Sequence, residues 1–125
     1  MVTGSVVSPL TGTLTIQNTI VASHTVGLIA IVGNLINADY TLLFGNGLDS
    51  FPGPVSLTNS VTGDPKFAAD GYHLLAGSAA GAAGTTNTVT TDIDGMTRPS
   101  GKPTIGAVER NPASKRYAFL PSMIR

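Results

Sequence analysis

The side chains able to do chemistry are few. Seven acids, Asp39, Asp49, Asp64, Asp70, Asp92, Asp94 and Glu109, stand beside two histidines, His24 and His73, and there is no cysteine in the 125 residues. Two carboxylates on one face suffice for acid–base glycoside cleavage, but no spacing along the chain sets such a pair across a groove. Asp92-Ile93-Asp94-Gly95 has the oxygen donors that a hard cation takes, so calcium is the one metal to consider. An EF-hand loop would need further ligands and a closing Glu, whereas Met96-Thr97-Arg98 brings a cation to that place. The better reading is a hairpin-like Asp-Gly turn, with Arg98 pairing to a nearby Asp. His24 and His73 are far apart and lack metal-site spacing, and no nucleophile elbow accompanies them. Gly77 to Gly84 lacks the Lys-Ser/Thr ending of a phosphate loop. Neither a catalytic set nor a cofactor is expected.

The elements holding these residues are those of an all-β chain. Charged residues are 11% of the sequence, against the usual ~25%. Gly, Ser, Thr and Asn abound, which argues against a helical bundle and against charge-driven disorder. The net charge is zero, so nothing global attracts nucleic acid. That neutrality is an average. Up to Gly63 only Asp39 and Asp49 are charged, residues 1–109 sum to −4, and Arg110, Lys115, Arg116 and Arg125 add +4 in a basic tail. The apolar stretch Val26 to Ile36 is interrupted by Gly27, Gly33 and Asn34 and is too short to span a bilayer. The first residues show neither a basic n-region nor an apolar h-region.

Repetition organises the first half. Leu14-Thr15-Ile16-Gln17-Asn18-Thr19, Leu35-Ile36-Asn37-Ala38-Asp39-Tyr40 and Val55-Ser56-Leu57-Thr58-Asn59-Ser60 align at offsets of 21 and 20 residues. A period of ~20 residues marks a solenoid whose coils stack on one another. Leu14/Ile16 and Val55/Leu57 alternate with Thr15 and Ser56, as half-buried strands require. Asn18, Asp39 and Asn59 would form a ladder at a corner, because Asn and Asp tolerate the left-handed backbone there. From Gly63 the turn signals Asp64-Pro65, Asp70-Gly71 and Asp94-Gly95 and the Gly/Ala run 76–84 crowd too closely for regular coils. The expectation is coils over 1–67, a cap over 68–109 that plugs the open end, and an extended tail over 110–125.

Four segments in order carry a resemblance. Gly63-Asp64-Pro65-Lys66-Phe67, Asp70-Gly71-Tyr72-His73-Leu74 with Ala76-Gly77-Ser78-Ala79-Ala80, Asp92-Ile93-Asp94-Gly95-Met96-Thr97-Arg98-Pro99 and Thr104-Ile105-Gly106-Ala107-Val108-Glu109 together resemble the C-terminal end of bacterial pectate-lyase-like proteins. That likeness implies a short right-handed parallel β-helix of about three coils, with Asn18, Asp39, Asn59, Asp64, Asp92, Asp94, Gly95 and Arg98 as corner and cap residues. It implies an extracellular or cell-surface setting, and enzymes of this superfamily cleave acidic polysaccharides, often with calcium. A chain this short is expected to be a non-enzymatic structural protein, self-associating into an oligomer or filament; the alternative is the C-terminal part of a polysaccharide-binding or polysaccharide-cleaving protein. Self-association would fall to Arg116, Tyr117, Phe119, Leu120, Met123, Ile124 and Arg125, unless that tail folds back on its own coils.

Overall fold

The computed structural model describes residues 11–110. Among them the chain is all-β, with eight strands and no helix: β1 (Thr13–Gln17), β2 (Ile20–Ala22), β3 (Val26–Leu28), β4 (Leu35–Asp39), β5 (Leu42–Phe44), β6 (Leu48–Ser50), β7 (Val55–Thr58) and β8 (Val61–Thr62). Every ladder is parallel, and the three sheets run β1-β4-β7, β2-β5-β8 and β3-β6. Strand n therefore pairs with strand n+3, the connectivity of a solenoid and not of a closed barrel. The described residues complete two circuits of three strands and add two strands of a third.

Interior side chains set the register. Leu14, Ile36 and Val55 stack across the first sheet, as do Ile16, Ala38 and Leu57. The offsets are thus 22 and then 19, not the 21 and 20 expected from the sequence. The cause is the apolar pair Leu35-Ile36, which leaves two alignments open. Pairing Leu14 with Leu35 would turn Asn37 inward, whereas the observed register buries Ile36 and Ala38. A slip of one residue exchanges the faces, and burial decides it. The two periods differ at the third corner: Leu28 to Leu35 takes seven steps, and its counterpart Ser50 to Pro54 takes four.

The corner ladder shifts by one place as a result. Asn18, Tyr40 and Asn59 hold the left-handed positions, with φ of 52°, 49° and 47°. Asp39 lies one residue earlier, paired with Gln17 and Thr58. From there its carboxylate accepts hydrogen bonds from Asn59 Nδ2 (2.8 Å), Thr58 Oγ1 (3.0 Å) and Gln17 Nε2 (3.2 Å), so it joins three rungs. The bond from Asn59, outweighing partial desolvation and aided by Gln17 and Thr58, holds its pKa below the ordinary carboxylate value.

Residues of 68–109, the segment read as a cap, pack along the flank of the β2-β5-β8 sheet, and their contacts reach the first circuit. Leu42, Leu74, Ala80 and Ile105 form one buried cluster, against which Ile20, Val61, Ala79 and Ala83 pack. Ile20, Leu42 and Val61 are one rung apart in register, so the apolar column extends the height of the sheet. Asn18 clamps the same segment: its Nδ2 donates to the Thr85 carbonyl at 2.6 Å and its Oδ1 accepts from the Thr85 amide at 2.9 Å. Burying a Leu or Ile fully contributes about 1.5–3 kcal/mol, while one hydrogen bond contributes about 0.5–1.5 kcal/mol. Packing therefore holds the flank, and Asn18 sets its position.

Gly84 reports on that docking. A Cβ there would stand 2.6 Å from Asn18 Oδ1 and 3.0 Å from the Pro103 carbonyl. Gly84→Ala should lower stability by about 1–3 kcal/mol in urea unfolding, the usual cost of overpacking. Gly81→Ala, whose nearest neighbour is the Ser78 carbonyl at 3.5 Å, should change it by less than about 1 kcal/mol. Equal effects at the two sites would rule out the close approach.

Candidate functional site

Two loops of the flank are built as short hairpins. Phe67 bridges Leu74 and Thr91 bridges Thr97, both antiparallel. Asp70-Gly71 and Asp94-Gly95 lie in their turns, with Gly71 and Gly95 at φ of 86° and 81°, backbone that favours glycine. Asp70 Oδ1 accepts the amides of Tyr72 (3.1 Å) and His73 (2.9 Å), which aims the His73 ring. The ring then joins the loops: Nδ1 lies 2.5 Å from Asp70 Oδ2, and Nε2 lies 2.6 Å from Asp94 Oδ2.

A neutral imidazole has one N–H, so it can satisfy only one of two carboxylates. The imidazolium donates to both. Partial burial opposes the charge, but Asp70 and Asp94 outweigh it and the His73 pKa rises above 6.5. The His73 and Tyr72 amides, with the imidazole, draw Asp70 down to about 2. With both ring nitrogens on carboxylates, His73 acts as a clasp and has no nitrogen left to serve as a general base.

The remaining cap acids turn toward the backbone. Asp92 Oδ1 accepts the amides of Asp94 (2.9 Å) and Met96 (2.7 Å), and Oδ2 accepts that of Glu109 (2.6 Å). Arg98 departs from expectation, pairing with Glu109 (3.3 Å) and donating to the carbonyls of Thr104 (2.9 Å) and Gly106 (2.7 Å) rather than meeting an Asp. Glu109 is almost fully buried and also accepts from the Thr104 amide and hydroxyl, which supply the donors a buried carboxylate requires. Asp64 caps its own turn at the Lys66 amide, 2.7 Å away. Among the described residues no group of three or more His, Asp or Glu is arranged to hold a metal ion, and no helix is long and apolar enough to cross a membrane.

The second feature is apolar. At the first circuit, Leu14, Ile29, Ala30, Ile31, Leu35 and Ile36 line an open cavity of about 420 Å³. Leu14, Ile29, Ile31 and Val32 are 55%, 58%, 72% and 92% exposed. Three of them belong to the longer third corner. Among the described residues β1, β2 and β3 are the outermost strands of their sheets, so there this rim is also an open edge.

The structure thus brings Asp92, Asp94, Gly95, Arg98 and Glu109 into one linked region, gathers Asp39 and Asn59 in the polar ladder, and places Asn18 on the flank. Arg116, Tyr117, Phe119, Leu120, Met123, Ile124 and Arg125 lie outside the described residues. The sequence reading missed the His73 clasp: Asp70 at i−3 is a local signal, but Asp94 is 21 residues on and only the fold supplies it. It also missed the Ile29–Val32 corner, weighed there only as part of a membrane span. Comparison with protein-family models, with curated proteins and with solved structures gives no match.

The clasp makes stability depend on pH. His73 has a raised folded-state pKa, so its contribution is complete below 6.5 and fades as pH rises through the folded value. Asp70 has a lowered one, so its contribution is present above 3.8 and fades as pH falls toward about 2. The melting temperature should fall between pH 6 and 8.5 in the native chain, and His73→Gln should flatten that slope. A slope of equal size in both proteins would show that the clasp does not bear on folding.

Proposed function

We propose that this chain is a short right-handed parallel β-helix of the pectate-lyase-like kind, acting outside the cell or at its surface as a non-enzymatic structural module that associates with copies of itself. The observation that carries this reading is the apolar rim of the first circuit, which no other described residue covers. Monomeric proteins rarely expose a contiguous apolar patch with no use for it, and here the patch coincides with three strand edges. The first half adds little charge that would keep copies apart, since Asp39 and Asp49 are its only formal charges. The acids of the cap are turned to structure: Asp92 to amides, Asp94 to His73, Glu109 to Thr104 and Arg98. The basic tail 110–125 is a further contact in this proposal, a strap over an acidic neighbouring body.

Light scattering across a concentration series tests it. The full chain should exceed the 12.7 kDa of a single chain as concentration rises, and comparison with a chain ending at Arg110 separates the tail's share from the rim's. A mass of one chain throughout would end this reading.

A second reading, polysaccharide binding, is favoured by one feature: Phe67 and Tyr72 line a groove of about 300 Å³ with Asn18, Thr19 and Ile20. Apolar rings beside a few polar groups are what a sugar face needs, although His73 already covers part of Tyr72, with ring centroids 4.4 Å apart. A ligand bound to the folded chain raises its melting temperature. Under this reading one of a panel of acidic and neutral polysaccharides shifts it, and Tyr72→Ala removes the shift; no shift with any of them would exclude it.

A further inference from the structure

Resting on the self-association proposed above, we infer that the occupant of the rim is a second copy of this chain, docked rim to rim about a two-fold axis in a closed dimer rather than added end to end in a filament. Three observations carry this.

The first is charge. A two-fold contact brings the side chains near its axis against their own copies, so a formal charge there would meet its like. From Thr11 to Ala38, the stretch that forms the rim, there is no Asp, Glu, Lys or Arg. The surface suits itself in the simplest way: it carries no Asp, Glu, Lys or Arg to oppose its copy, and Leu14, Ile29 and Ile31 are exposed on it among polar, uncharged side chains.

The second is strand length. A two-fold axis through the middle of β1 reverses the direction of the partner's chain around the rim, so β1 meets β1, and β2 meets β3 of the other copy. The lengths suit this: β1 has five residues centred on Thr15, and β2 and β3 have three each. Antiparallel pairing about Thr15 sets Leu14 opposite Ile16, so the column of interior side chains continues across the junction.

The third is the far end. The third circuit has β7 and β8, but among the described residues no strand lies beyond β6 in its sheet. A copy added head to tail would seat β1 on β7 and β2 on β8, leaving β3 opposite a gap one strand wide, about 4.8 Å. The rim has all three edges and fits another rim better than it fits the opposite end.

Sedimentation and light scattering of the full chain, with Ile31→Glu and Thr62→Glu, test the inference. Ile31 is largely exposed beside the rim cavity and Thr62 is exposed at the far end, so neither change burdens the monomer. Val32→Glu, at the most exposed apolar position, serves if Ile31→Glu fails to fold. The expected result is a mass that stops at two chains, a dimer dissociation constant raised about tenfold or more by a charge at the rim, and little change from Thr62→Glu. Growth beyond two chains that Thr62→Glu arrests would overturn the closed dimer and leave self-association standing. A single chain at every concentration would overturn both, and slow amide exchange over Thr13–Gln17 in that monomer would assign the rim to the chain's own residues 1–10.

Discussion

Everything in this molecule depends on which residues of β1, β4 and β7 point inward. With Leu14, Ile36 and Val55 in one column and Ile16, Ala38 and Leu57 in the next, each later position follows. Gln17, Asp39 and Thr58 become a hydrogen-bonded outer row, and Asn18, Tyr40 and Asn59 become left-handed corners. The outward rung Ile20, Leu42 and Val61 becomes the surface onto which the flank docks. Displacing β4 by one residue would bury Asn37 and turn Ile36 outward, undoing all three at once.

The flank makes use of that order. A parallel solenoid of so few turns has little interior, and the chain gains burial by laying residues 74–108 along its side. Leu42, Ile105 and Val108 are among the largest side chains fully removed from water, and only the first lies in a strand. Small residues make the approach possible: Gly84 admits Asn18, and Gly106 admits the Ile20 side chain, 2.9 Å from where a Cβ would stand. Buried polar groups within the flank answer one another, with Thr104 supplying two donors to Glu109 and Arg98 closing the set. The His73 clasp works at the surface of the same segment and ties its two hairpins.

How much of this was legible follows from the range of each interaction. Strands over 13–17, 35–39 and 55–58, their parallel stacking, the left-handed corners at Asn18 and Asn59 and the Asp94-Gly95 turn are local signals, and the sequence carries them. The register was ambiguous because Leu35 and Ile36 are both apolar, and only competition for the interior separates them. Arg98 has acids close by at Asp92 and Asp94, but Asp92 is saturated by amides and Asp94 belongs to His73, which leaves Glu109 as its partner. Lateral docking was hidden because Ala79, Ala80 and Ala83 state that something approaches closely without stating what.

The third corner links fold to function. Its extra length between Leu28 and Leu35 adds nothing to the sheets, and the shorter corner between Ser50 and Pro54 shows that the solenoid closes without it. The extra residues include Ile29, Ile31 and Val32, all exposed. Each apolar side chain of that size left in water forgoes about 1.5–3 kcal/mol of burial, and a polar loop of the same length would be as easy to close. An insertion that is unnecessary for closure, apolar in composition and placed beside an open strand edge has its simplest physical account in a surface that becomes buried when another body meets it. Charge around the rim would guard against such contact, as it does on most edge strands, and here no Asp, Glu, Lys or Arg stands before Asp39.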